Sequence, residues 1–205
     1  WEEKQIGIKL VDTFGLERTL TVSSTSLSIP NRRSSTFSLE DGLMPVPADD
    51  MPSIIRAAET YASVELSLFI RLGFGTGMRL GTLADIRVGT VSRAAPSPTL
   101  RGFYLLAVGP GAHPPVETKF GVTGQVLISE RDLLDLRNYI YSPRRLRRTA
   151  LAAGEDQDAV FLTRFGKRYT SENGARSFNV ELGRLRRKAK LKGIDALTNF
   201  HFHRT

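Results

Sequence analysis

From Leu43 onward the apolar residues recur at helical spacing, and one block of short β-like stretches between Gly102 and Ile128 interrupts them. A chain that is mostly helix with one small sheet belongs to the α+β class, mainly α. Within the block, Gly102 to Val108, Val116 to Phe120 and Gln125 to Ile128 predict three short antiparallel strands. The last two are joined through Gly121 to Gly124 as a hairpin, with Lys119 near its turn.

The helices around this block have legible ends. Asp49 or Asp50 caps a helix with Pro52 in its first turn and Ile54, Ile55 and Ala58 on one side. A second, from about Ser63 to Leu72, carries Leu66, Phe69 and Ile70, and Gly73, Gly75 and Gly77 stop it. Thr76 then stands as cap of a third, Met78 to Arg87, which buries Leu80, Leu83 and Ala84. Arg79 falls in its first turn, where free backbone N–H groups and the positive dipole end favour an anion.

Ser129 with Asp132 opens a helix through Leu133, Leu136, Tyr139 and Ile140 that Pro143 ends. Val160 to Leu162 is a brief extended piece. A last helix, about Glu172 to Leu191, turns Phe178, Leu182 and Leu185 inward and stops at Gly193. Residues 1–42 read as an arm or linker remnant, with short β-like stretches and a Ser/Thr-rich segment from Val22 to Ser38. Residues 43–205 read as the packed domain.

Composition narrows the chemistry. With no cysteine among 205 residues and three histidines, the chain has no disulfide or thiolate chemistry, and neither a metal nor another cofactor is expected. Gly73-Phe74-Gly75-Thr76-Gly77 fails the dinucleotide fingerprint, which needs glycine where Met78 stands, and no phosphate-binding P-loop pattern occurs. No apolar run is long enough to span a bilayer, so a cytoplasmic protein without a membrane partner is expected.

The formal charge of +8 and pI near 10.1 favour a polyanionic partner. Residues 1–60 carry 6 basic and 9 acidic side chains, and the rest carry 23 and 12, so the basic face belongs to the later part. Arg144, Arg145, Arg147 and Arg148 form one cluster, and Arg187 and Lys188 lie within another that runs from Arg184 to Lys192. Such runs read equally as solvated helix faces and as phosphate contacts. Arg79, His201 and Arg204, from distant segments, are the groups needed to hold one phosphodiester from several sides.

Three segments together resemble the tyrosine recombinases, or phage integrases. Leu72 to Val91, with Thr-Gly-Met-Arg-Leu-Gly-Thr-Leu-Ala-Asp-Ile-Arg, is similar to the family's first-arginine box. Thr118-Lys119 followed by Gln125 to Ile128 resembles its lysine-bearing hairpin, and His201-Phe202-His203-Arg204 resembles its H-x-x-R box. The resemblance covers about Leu43 to Thr205 and implies a helical catalytic domain with a small antiparallel sheet.

It also implies attack by a tyrosine on a DNA phosphodiester, giving a 3′-phosphotyrosyl link and a free 5′-hydroxyl that a second strand's hydroxyl reverses. Negative charge builds on the non-bridging oxygens, so the site needs preplaced cations. Arg79 and Arg204 would clamp the phosphate, Lys119 would protonate the leaving oxygen, and His201 would assist at the phosphate. Double-stranded DNA, and a homotetramer on it, are the implied partners, and a bacterial or phage protein acting at the nucleoid is the implied setting.

Departures from the family pattern are also plain. Thr82 stands three residues after the first arginine, where the family has a bracing carboxylate, and Asp85 is too far along the helix to replace it. Phe202 and Thr90 occupy two further positions where the family is often acidic. None of Tyr61, Tyr104, Tyr139, Tyr141 or Tyr169 sits in the nucleophile's context, so that tyrosine is expected beyond this chain, and the chain alone is expected to be inactive. A DNA-binding or architectural protein on the same fold, or a piece of a type IB topoisomerase, remain open alternatives.

Overall fold

The structure, a computed structural model, describes residues 3–11, 17–25, 46–169, 176–198, 200 and 202. The chain divides into two units, Trp1–Pro45 and Val46–Thr205. In the first, β1 (Glu3–Val11) and β2 (Glu17–Thr25) pair antiparallel in the register Glu3 to Thr25 through Val11 to Glu17. β2 thus takes in the start of the Ser/Thr-rich segment; the remainder of that segment lies outside the described residues.

The second unit is α+β, mainly helical, with a small three-stranded antiparallel sheet. Its helices are α1 (Met51–Tyr61), α2 (Val64–Thr76), α3 (Leu80–Ala84), α4 (Val88–Ser92), α5 (Glu130–Ile140), α6 (Pro143–Leu151) and α7 (Arg176–Leu191). Its strands are β3 (Ala95–Pro96), β4 (Phe103–Val108) and β5 (Gly124–Ser129), in the order β3-β4-β5. No helix among the described residues is long and apolar enough to cross a membrane.

Local chemistry sets several boundaries. Asp50 is the N-cap residue of α1 but makes no side-chain capping bond, and Pro52 occupies the first turn. Ser63 caps α2 by accepting the Leu66 N–H. Ser129 caps α5 the same way with Asp132, and its hydroxyl also donates to the Asp132 carboxylate at 2.7 Å. Pro143 does not merely end α5: it opens α6, with Ser142 accepting the Arg145 N–H, because proline is suited to the first helical position.

The sheet differs from the expected one in its membership. β4 pairs with β3 and, across a long connection, with β5 in the register Phe103 to Ser129 through Val108 to Gly124. Val116 makes only an isolated bridge to Gly109, and Lys119–Gly121 is a short 3-10 turn. A strand over 116–120 is ruled out by Phe120, whose φ of 62° cannot continue an extended chain.

The core centres on Phe69 of α2, fully buried and in ring contact with Phe161 at 4.4 Å, Phe178 at 5.3 Å and Tyr169 at 5.4 Å. Around it α2 packs against α1, α7 and β5. Gly73 lies inside α2 and does not end it, since a Cβ there would meet the Phe202 ring at 2.6 Å. Phe202 in turn stands edge-on to Phe178 and Phe200, so the stop falls at Gly77, whose φ of 67° forms the left-handed cap.

Candidate anion-binding clefts

The turn Thr76-Gly77-Met78-Arg79 is built so that each residue does one thing. Thr76 donates from its hydroxyl to the Leu72 carbonyl at 2.6 Å and accepts the Met78 N–H at 3.2 Å, closing the end of α2. Gly77 reverses the chain, Met78 is buried as the anchor, and Arg79 is extended at φ −69°, ψ 155° as N-cap residue of α3. Arg79 therefore precedes the helix instead of lying in its first turn. At five residues α3 is too short for a dipole argument, so the guanidinium alone supplies positive charge here.

Arg79 faces a cleft of about 380 Å³ whose opposite wall is the β4–β5 connection, with Thr118, Lys119 and Phe120. Folding brings the two sequence-predicted cations, Arg79 and Lys119, to one site. No described carboxylate lines it. Arg79 Nε is buried and has no hydrogen-bond partner among the described residues, and a buried donor in that state suits an acceptor on a bound anion. Thr82, buried, lines the same cleft.

Asp85, set aside in the sequence as too distant, is the missing link between the two walls. Buried at the end of α3, it accepts the Glu117 backbone N–H at 2.8 Å, two residues before Lys119. The same carboxylate takes Arg87 at 2.8 Å and Arg168 at 2.9 Å. It does not touch Arg79; it fixes the lysine-bearing segment to the helix that Arg79 begins.

A second cleft, of about 650 Å³, lies between the α1–α2 junction, α6, the turn at Thr163 to Phe165 and α7. Arg144, Arg148, Arg164, Arg184 and Lys188 line it, and Glu181 is the one carboxylate among the described residues that does so. Glu181 is engaged by the Ser63 and Tyr169 hydroxyls. Lys188 Nζ donates to the Tyr61 carbonyl at 3.3 Å.

Glu65 beneath this cleft is fully buried and escaped the sequence reading. It accepts from Tyr139 Oη at 2.9 Å and from Arg144 Nε and Nη2 at 2.7 and 2.9 Å, and it pairs with Arg148 Nη1 at 2.9 Å. Burial raises its pKa, but the Arg144 hydrogen bonds and the Arg148 charge outweigh that and hold the carboxyl below its ordinary range. The signal was present: Glu65, Phe69 and Leu72 share one helical stripe, and an acid on an apolar stripe needs buried partners.

The arginine cluster of α6 is therefore split in role. Arg145 is a correction to the expected phosphate contacts: it is buried and donates to the Val160, Ile140, Gln157 and Ala159 carbonyls at 2.8 to 3.4 Å. It serves as an internal clamp, and burial pulls its pKa below the usual guanidinium value. Arg144 and Arg148 reach the second cleft from their Glu65 anchor, while Arg147 and Arg187 are exposed. His201 and Arg204 lie outside the described residues.

No described tyrosine lines the Arg79–Lys119 cleft. Tyr139 and Tyr169 are buried, and burial together with neighbouring Glu65 and Glu181 pushes both phenols well above their ordinary pKa. Among the described residues no group of histidines and carboxylates is placed to hold a metal ion. Comparison with protein-family models, curated proteins and solved structures finds no match for this chain.

Proposed function

We propose that this protein binds double-stranded DNA and provides the phosphate-holding part of a site that cleaves and rejoins DNA strands through a 3′-phosphotyrosyl intermediate, as in a tyrosine-type site-specific recombinase. The observation that carries this reading is that Arg79 and Lys119 line one cleft with no described carboxylate, and that Arg79 Nε is buried with no hydrogen-bond partner among the described residues. A guanidinium and an ammonium lining one cleft suit a phosphodiester, whose non-bridging and leaving oxygens need different help.

In the mechanism, Arg79 donates to the non-bridging oxygens and neutralises the charge that grows as the nucleophile approaches phosphorus. Lys119 gives its proton to the departing 5′-oxygen, and Asp85 holds the segment that carries it. Arg204 and His201 are assigned to the clamp by the sequence resemblance alone. Arg144, Arg148 and Lys188, with exposed Arg147 and Arg187, add phosphate contacts along the duplex.

A second reading, a DNA-binding protein that lacks cleavage, is favoured by Thr82, which stands where the recombinases that the sequence resembles carry a carboxylate, and no described carboxylate lines the cleft. The two separate on duplexes nicked beside the cleavage position, which trap a covalent intermediate by losing the leaving strand. Covalent DNA formed by the full-length protein and abolished by Arg79→Ala supports strand transfer. Tight binding with no covalent product supports the binder.

A further inference from the structure

Phe120 combines two features that cost stability. The residue is 88% exposed, and among the described residues it is the only non-glycine with a positive φ, 62°. Left-handed backbone disfavours a bulky side chain, and a large exposed apolar ring gains nothing from burial. The next residue, Gly121 at φ 65°, already supplies the easy left-handed position. Strain of this kind, held in a loop beside a binding cleft, points to a ligand contact.

The surroundings say which ligand. Phe120 lines the cleft that holds Arg79 and Lys119, and the Lys119 ammonium stands 5.0 Å from its ring centroid. An occupant of this cleft must present an anion to the cations and a flat apolar face to the ring. A nucleotide does both, with its base joined to the phosphate through one sugar, whereas an acidic peptide offers no matching planar surface.

We propose that Phe120 stacks on the nucleobase next to the phosphate held by Arg79 and Lys119, so that the β4–β5 connection unstacks or wedges the duplex at that step. This inference rests on the DNA-binding reading. Stacking on an aromatic ring tolerates any base, and a wedge is easiest at steps that are already weakly stacked. Phe120 would thus favour flexible steps and act on local DNA shape without reading a hydrogen-bonding edge.

The test places Phe120→Trp in a Trp1→Phe background, since Trp1 is the chain's one tryptophan. Added to a mixed-sequence duplex, the variant is expected to lose indole emission as complex forms, followed in parallel by anisotropy of a labelled strand. Phe120→Ala is expected to weaken binding about 5-fold or more, with the salt dependence unchanged, and Phe120→Tyr to retain affinity.

Unchanged emission at saturating duplex, with complex seen by anisotropy, overturns the stacking role and leaves DNA binding standing. No complex with any duplex at low salt overturns both. Self-association that Phe120→Ala abolishes, with DNA affinity intact, assigns the ring to a second copy of the chain and likewise overturns the proposal.

Discussion

Asp85 accepts the backbone N–H of Glu117 at 2.8 Å, joining the end of α3 to the segment that carries Lys119. Arg79 begins that helix and Lys119 follows Glu117 by two residues, so one buried carboxylate ties together the two segments that carry the cleft's cations.

Asp85→Ala is expected to lower unfolding free energy by about 2 kcal/mol, since the Glu117 N–H loses its acceptor and Arg87 and Arg168 each lose a partner. Hydrogen exchange at the Glu117 amide should rise beyond the change in global stability. Asp85→Asn keeps an acceptor for that N–H and should restore most of its protection. Equal exchange in both variants would show that Asp85 only stabilises the fold.

Glu65 gives a pH signature. Its folded pKa is depressed, so its contribution is complete above the unfolded value of about 4.3 and is lost as pH falls through the lower folded value. Denaturant titrations should show stability declining below that range in the wild type and a shallower decline in Glu65→Gln. Glu65→Ala should cost about 2–3 kcal/mol near neutrality, because Tyr139, Arg144 and Arg148 lose their shared partner.

Arg145 and Arg147 separate structure from surface within one run of arginines. Arg145→Ala exposes four carbonyls to an unfilled space and should cost about 3 kcal/mol. Arg147→Ala should change stability by less than about 0.5 kcal/mol and lower only DNA affinity. Thermal melts with matched binding assays decide both.

The sequence was legible where a side chain answers a local backbone need. Ser129 and Asp132 announced α5, and the spacing of Leu133, Leu136, Tyr139 and Ile140 gave its buried face. It was not legible where a tertiary contact decides. Gly73 looks like a stop until Phe202 is seen against it, and Pro143 looks like one until Ser142 is seen capping the helix it opens. Nor does spacing tell that Arg145, of four clustered arginines, turns inward.

At the candidate site, pattern alone singled out Arg79 and Lys119, and the fold places both on one cleft. Asp85 was hidden, since a carboxylate's value depends on the groups folded around it, and Glu65 showed only as an acid on an apolar stripe, with no sign of which groups would pair with it. Phe120 was hidden because its backbone conformation and exposure have no trace in residue order. Asp85 holds the segment before Lys119, Glu65 anchors Arg144 and Arg148, and Phe120 lines the Arg79–Lys119 cleft.

The central claim, that the Arg79–Lys119 cleft holds a DNA phosphate, is tested most directly by duplex affinity across a salt series for wild type, Arg79→Ala and Lys119→Ala. Loss of one phosphate contact should weaken binding to all sequences alike and reduce the slope of log affinity against log salt by about one for each variant. Folded variants that bind with the wild-type affinity and the wild-type slope would contradict the account.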